Sequence, residues 1–176
     1  HICYLYTCSE DRTICMWNIA TCQPIRNYTS KTLRQSVLTC IAQSPRHLMA
    51  GTSDASVVVF TKGNECERRD IHACNTPGAD KTGCLQLTLR LSAKGGYRTQ
   101  SNEMPCVNSV LCTGLNHSFT YVIAGDSVGQ ISVWENPGRE GLGFHAVTFW
   151  KAHRLAINDM VATCRHLITA ADDGSI

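Results

Sequence analysis

The side chains best suited to metal chemistry lie in one polar stretch of the chain. They are Cys66, His72, Cys74 and Cys84, and thiolate and imidazole groups are the usual ligands of zinc. The stretch has no Cys-x-x-Cys pair, the spacing that structural zinc sites commonly use. The sequence therefore favours loop thiols without a role over a zinc site, and we expect no bound metal.

The adjacent carboxylates Asp172 and Asp173 are candidates for a general acid and base. They directly follow a short apolar stretch, however, which predicts that one belongs to a tight turn and the other is exposed. The sequence also contains no Gly-x-Ser-x-Gly motif, no phosphate-binding glycine loop and no His-Glu-x-x-His motif. We therefore expect no catalytic residue and no cofactor.

The two carboxylates lie in the last of four similar segments. The first, residues 4–18, predicts two short strands joined by a tight turn that contains Asp11, with Trp17 near its end. The other three segments are residues 48–60, 122–134 and 167–176. No stretch of the chain shows a convincing helical period, so the repeats predict an all-β protein.

The register of the segments can be checked at the apolar residue that follows each turn. These residues are Ile14, Val57, Ile131 and Ile176. Their separations are 43, 74 and 45 residues, and two of these match the period of about 40–45 residues of a four-stranded propeller blade. The long separation contains two polar stretches, 62–83 and 92–105, on either side of an alternating strand pattern. We interpret these stretches as enlarged loops.

Composition bounds the class of protein. The formal net charge of +2 indicates no basic nucleic-acid footprint, and no apolar run approaches the roughly 20 residues that span a bilayer. The eleven cysteines would suggest disulfides in a secreted chain, but their number is odd and several lie in apolar strand patterns. We therefore favour a reducing, intracellular compartment, either cytoplasmic or nuclear.

The segments resemble the WD-repeat β-propeller family over essentially the whole chain. A blade of that family has a histidine near its start, an aspartate in a turn and a closing Trp-Asp pair. The fourth unit, residues 136–176, matches best through His153 and Asp173, and its tryptophan is expected beyond residue 176. The resemblance implies that His153, Thr169 and Asp173 form the structural hydrogen-bond network of the family.

The other three units are degenerate versions of the pattern. The family residues that they keep are Asp11, Trp17, Asp54 and Trp134. At other family positions they carry Asn18, Arg34, Phe60 and Val128. The resemblance implies structural roles for the residues that are kept, because aromatic side chains would pack between neighbouring blades and buried donors need partners.

The fold class that follows is a β-propeller with blades of four antiparallel strands. We divide the chain into a blade end (1–18), a blade (19–61), a blade with loop insertions (62–135) and an incomplete blade (136–176). Closed propellers have about 4–8 blades, so we expect about three to four blades of a larger ring. The remaining blades would belong to the parent chain or, alternatively, to another chain.

The resemblance and the missing catalytic motifs favour a scaffold that binds other proteins within a larger assembly. The alternative is an accessory propeller of a multidomain enzyme or trafficking protein, whose activity lies elsewhere. In this family, loops at one end of the blades are the usual binding face, and we expect loop 92–105 beside it and insertion 62–83 at the opposite end. Mapped onto this sequence, that face carries Glu10, Arg12, Arg34, Ser53, Ser127, Arg154 and Asp172.

Overall fold

The computed structural model describes residues 4–29, 36–44, 47–62, 85–92, 104–113, 121–136 and 144–176. Arg34, the four candidate zinc ligands and nearly all of the two predicted loops lie outside the described residues. Within the described ranges there are thirteen β-strands in four antiparallel sheets, which confirms the all-β prediction. No helix in these ranges is long and apolar enough to cross a membrane.

The strands follow one another in sheet order. Sheet 1 contains β1 (Tyr4–Cys8), β2 (Thr13–Asn18) and β3 (Gln23–Thr29). Sheet 2 contains β4 (Leu38–Gln43), β5 (His47–Thr52), β6 (Ser56–Lys62) and β7 (Leu85–Ser92). Sheet 3 contains β8 (Val107–Thr113), β9 (Tyr121–Asp126), β10 (Gln130–Glu135) and β11 (His145–Lys151). Sheet 4 contains β12 (Ile157–Ala162) and β13 (Leu167–Ala171).

The sheets stack because their strands are apolar on both faces. In β6, Val57 and Val59 pack in the cluster shared with sheet 3, whereas Val58 and Phe60 pack in the cluster shared with sheet 1. Side chains of a strand alternate between faces, so the continuous run from Val57 to Phe60 fills both interfaces. Sheets 3 and 4 meet through Ile131 and Ile157.

Three of the four predicted blade segments supply strands to two sheets. Segments 19–61, 62–135 and 136–176 begin with β3, β7 and β11, which are the last strands of sheets 1, 2 and 3. Each then continues into the first strands of the following sheet. The chain therefore links neighbouring sheets covalently as well as through their apolar faces, and the segment boundaries stay a prediction.

The four tight turns have one backbone feature in common. They are residues 9–12, 53–55, 127–129 and 172–174, and they join the second and third strand positions of the repeat. One equivalent residue in each turn has a positive φ. The angles are 70° at Arg12, 57° at Ala55, 82° at Gly129 and 77° at Gly174. We call the end of the sheets that carries these turns the turn end.

Two glycines at one position of the second repeat strand lie against the next sheet. A Cβ on Gly51 would lie 2.7 Å from Val107 Cγ1, and one on Gly125 would lie 2.8 Å from Ile157 Cγ2. Val107 and Ile157 are the first residues of β8 and β12. Because Gly51 and Gly125 have no side chain, they leave room for the first strand of the next sheet. The same repeat position holds Cys8 in sheet 1 and Ala170 in sheet 4.

Replacing Gly51 with alanine tests this close approach. We expect the free energy of unfolding to fall by about 1–2 kcal/mol, because the atoms in the way are side chains of Cys40 and Val107 that can shift partly. Chemical denaturation measures the loss, and Val107→Ala in the same chain should recover part of it. A loss that the Val107→Ala background leaves unchanged would contradict the stated contact.

Candidate protein-interaction site

His153 lies at the centre of a hydrogen-bond network at the turn end of sheet 4. The histidine is 8% exposed, its Nε2 lies 2.6 Å from Thr169 Oγ1, and its Nδ1 lies 2.8 Å from Ser175 Oγ. Asp173 Oδ1 accepts from the Ser175 hydroxyl and lies 3.5 Å from His153 Nδ1. The structure thus brings together the three residues that the resemblance grouped, and adds Ser175 as a link between two of them.

Asp173 also ties the turn to the segment that leads into β12. Its Oδ2 accepts a hydrogen bond of 2.8 Å from the Arg154 N–H. Hydrogen bonds from the Ser175 hydroxyl and the Arg154 N–H lower the pKa of the Asp173 carboxyl below its ordinary value of 3.8, because they favour the ionised form. The carboxylate is therefore used in holding the fold and is poorly placed to act as an acid.

Two further turn aspartates make similar contacts. Asp54 accepts from the hydroxyls of Thr52 and Ser36, each at 2.6 Å, and Ser36 lies in the segment leading into β4. Asp11 accepts from the Thr13 N–H at 2.9 Å and from its hydroxyl at 2.7 Å. These hydrogen bonds from Thr13 lower the pKa of Asp11.

The two tryptophans near the end of the third repeat strand have different surroundings. The Trp17 indole N–H donates to Thr7 Oγ1 at 2.9 Å, and Thr7 occupies the repeat position of Thr169. Trp134 is 3% exposed and packs in the cluster between sheets 2 and 3. Trp134 lies on the side of sheet 3 that faces sheet 2, and Phe60, at the same repeat position, lies on the side of sheet 2 that faces sheet 1.

Asp126 is a structural residue that the sequence reasoning missed. It is 3% exposed and lies two residues before Val128, which occupies the usual position of the turn aspartate. Its Oδ1 accepts from the N–H groups of Val128 at 3.0 Å and Gln130 at 2.8 Å, so it holds the turn from the strand side. An aspartate two residues ahead of an empty aspartate position was the available signal.

Substitutions at Asp126 should separate its two physical effects. Burial raises the pKa of its carboxyl, so its ionised form is costly in the folded state. Asp126→Ala removes the acceptor of two N–H groups and should cost about 1–3 kcal/mol. Asp126→Asn keeps an acceptor and removes the charge, so its stability relative to the wild type should improve as pH rises from about 4 to 7. Denaturation curves across this range measure both effects, and a constant difference would contradict them.

The serines predicted for the binding face are used inside the protein. The Ser53 hydroxyl accepts from the Val37 N–H at 3.1 Å, and the Ser127 hydroxyl accepts from the Cys106 N–H at 2.9 Å. Asp172 accepts from the Asn158 amide at 2.6 Å. These three residues join the turns to the first strands of their own sheets, so their side chains offer less to a partner than the sequence suggested.

The charged residues of the predicted face are more open. Glu10, Arg12 and Arg154 are exposed at the turn end. The Arg154 guanidinium makes no ion pair with any residue that the structure describes. Arg34 belongs to the same predicted face but lies outside the described residues. The turn end therefore combines internally bonded polar groups with exposed charges on a fixed frame.

The described ranges contain free thiols but no candidate metal site. These ranges contain no group of three or more histidine, cysteine or acidic side chains that could hold a metal ion. Their seven cysteines are free thiols. Burial raises the pKa of the Cys40 thiol to about 12, which keeps it protonated and makes it a poor nucleophile.

Comparison with solved structures shows the fold. The computationally designed Ika4 protein is 18% identical with a TM-score of 0.59, over 98% of this chain and 81% of that chain. The designed Ika8 protein is 20% identical with a TM-score of 0.57, over 98% of this chain and 41% of that chain. The β-propeller domain of Myceliophteria_thermophila Cps50 (Swd1) is 12% identical with a TM-score of 0.63, over 97% of this chain and 47% of that chain.

These likenesses confirm the predicted architecture. The chain is part of a β-propeller built from small antiparallel sheets. It spans less than half of the Ika8 chain and less than half of the Cps50 chain. No protein-family model matches the chain, and no curated protein matches it. The sequence identities are 20% or lower, so these likenesses establish the fold alone.

Proposed function

We propose that this chain is part of a non-catalytic WD-repeat scaffold that binds other proteins through its turn end. The observation that carries the proposal is the internal use of the groups that could do chemistry. His153 and Asp173 both hydrogen-bond to the Ser175 hydroxyl, and Asp54 and Asp126 accept hydrogen bonds that stabilise their turns. Exposed charges at the same end are thereby presented on a pre-ordered backbone, which lowers the entropy cost of binding.

Further sheets of the same protein are the nearest partners of this chain. Ile176 is 90% exposed, whereas Ile131 at the same repeat position packs against Ile157 and is 2% exposed. Val161 and Ile168 are exposed on the same face of sheet 4. Large apolar side chains on a sheet face call for a covering layer. Another sheet in the position that sheet 4 has on sheet 3 would supply it.

The free state of the described cysteines supports an intracellular location, cytoplasmic or nuclear. All seven cysteines in the described ranges are free, and Cys40 packs partly buried against the cluster between sheets 2 and 3. Free buried cysteine behaves as a small apolar residue and persists in reducing compartments.

The scaffold proposal is tested by replacing Arg12, Arg34 and Arg154 together with alanine in the protein. We expect unchanged thermal stability and loss of cross-linked partner proteins, because arginine contributes strongly to interfaces and Arg12 and Arg154 are exposed. Arg165→Ala is the control, since Arg165 is exposed at the opposite end of sheet 4. Partner recovery that equals the wild type at equal stability would remove the turn end from consideration.

A further inference from the structure

Sheet stacking explains more than half of the large apolar side chains that are exposed in the described ranges. Six of them occupy repeat positions that are buried or partly buried between sheets elsewhere in the chain. They are Leu5, Val147, Trp150, Val161, Ile168 and Ile176. Leu5, for example, matches Leu48 and Val122, both 0% exposed between sheets. The exposure of these six reflects open sheet faces and says nothing about a binding site.

Two exposed apolar residues at the turn end have no such explanation. Met104 is 55% exposed and Leu155 is 53% exposed, and they lie in the segments leading into β8 and β12. The turn at 127–129 contacts both segments. The Ser127 N–H donates to Cys106 O at 2.8 Å, and Gly129 O accepts from the Ala152 and His153 N–H groups. Met104 and Leu155 therefore lie on either side of one turn.

The backbone that carries Leu155 is held at several points. The N–H groups of Ala152 and His153 donate to Gly129 O at 2.9 and 3.1 Å, and the Arg154 N–H donates to Asp173 Oδ2. The His153 side chain is buried among Thr169 and Ser175. Side chains on such a segment lose little backbone freedom when a partner binds.

The charges around Leu155 are unequal in their availability. The acidic neighbours are used internally, because Asp173 accepts from Arg154 N–H and Ser175, and Asp172 accepts from Asn158. Lys151 Nζ donates to the carbonyls of Val128 and Arg154, and its charge also acts on the carboxyl of Asp126. Arg154 is exposed, and its guanidinium makes no ion pair in the described ranges. The Arg154 guanidinium is therefore the positive charge most available to a partner.

We infer that Met104, Lys151, Arg154 and Leu155, the Leu155 patch, bind a protein segment in which a carboxylate lies next to an apolar side chain. The inference rests on the proposed scaffold function and names the chemistry of its partner. The apolar side chain of the partner contacts Leu155 and Met104, and its carboxylate pairs with the Arg154 guanidinium. Methionine and arginine are enriched in interfaces, and the planar guanidinium can bind a carboxylate with two hydrogen bonds.

The patch is tested by selecting ligands from a displayed library of random 12-residue peptides on the whole protein. We expect enriched peptides to contain Asp or Glu next to Leu, Ile, Met or Phe. Arg154→Glu and Leu155→Ser should each weaken the best peptide at least about tenfold, measured by fluorescence anisotropy. The matched controls are Arg165→Glu and Ile19→Ser, which are exposed residues away from the turn end and should leave its affinity unchanged.

A charge exchange makes the test specific. Replacing the acidic residue of the peptide with lysine should restore binding to Arg154→Glu, because the two opposite charges meet again. Enrichment of basic peptides, or equal binding by Arg154→Glu and its Arg165→Glu control, would overturn the patch. Binding of an RNA oligonucleotide that Arg154→Glu abolishes, without any peptide binding, would also overturn it. Peptides whose binding depends on Arg12 instead of Arg154 would overturn the patch and leave the scaffold function standing.

Discussion

Gly129→Ala should lower the free energy of unfolding by about 3–5 kcal/mol, more than alanine at any of the other three glycines that the structure describes. A Cβ at this position would lie under 3.0 Å from the carbonyl oxygens of both His153 and Leu155. These are backbone atoms of a segment fixed by hydrogen bonds to Gly129 itself, so they cannot move aside like the end of a side chain. The positive φ of 82° adds strain for any residue with a Cβ.

Gly174→Ala is the matched control. Gly174 has the same place in its turn and a φ of 77°, but a Cβ there would meet no atom within 4 Å. It should therefore show only the backbone strain of about 1–2 kcal/mol. The difference between the two variants in urea denaturation isolates the contact between the turn of sheet 3 and the segment leading into sheet 4. Equal losses would show that this contact does not limit the packing of the two sheets.

The repeat pattern of the sequence was enough to predict the strands. The predicted segment 48–60 coincides closely with β5 and β6, and segment 122–134 with β9 and β10. Their apolar residues follow the pattern of strands that fill one or both sheet interfaces. The turn aspartates Asp11 and Asp54 were also predictable. Their role is local, since each bonds within a few residues or to the segment leading into its own sheet.

Features that depend on contacts between sheets could not be predicted in this way. Gly51 and Gly125 resemble ordinary strand glycines, and only the approach of Val107 and Ile157 from the next sheet explains them. Asp126 was missed because a buried carboxylate can replace a turn aspartate from a neighbouring position. One sequence does not show which position is used.

The residues that lie at the turn end were predictable in outline, but their hydrogen bonds were not. The sequence placed Ser53 and Arg154 on one end by analogy of repeat position. It could not show that the Ser53 hydroxyl is bonded to the Val37 N–H, whereas the Arg154 side chain is exposed. Leu155 was not selected at all, because a single exposed leucine is ordinary on a protein surface. It differs only once its place at the turn end, away from the open sheet faces, is known.

His153→Ala should lower the free energy of unfolding by about 2–4 kcal/mol, because it leaves a cavity and removes a partner from both Thr169 and Ser175. His166→Ala is the control, since His166 is exposed at the other end of the same sheet and should change stability little. A loss no larger than that of His166→Ala would show that the network contributes nothing to folding.

The decisive measurement is a double-mutant cycle between His153→Ala and Asp173→Asn. The two groups meet through the Ser175 hydroxyl, so their combined cost should be smaller than the sum of the single costs.

The lowered pKa of Asp173 means that its contribution to stability is present above pH 3.8 and is lost as pH falls through the lowered pKa. The gap between the wild type and Asp173→Asn should therefore narrow below about pH 4. In the His153→Ala background the gap should be smaller at neutral pH but keep the same direction, because Ser175 and the Arg154 N–H still favour the ionised carboxylate. Strict additivity would show that Ser175 does not transmit the interaction, and the network would then be two separate pairs.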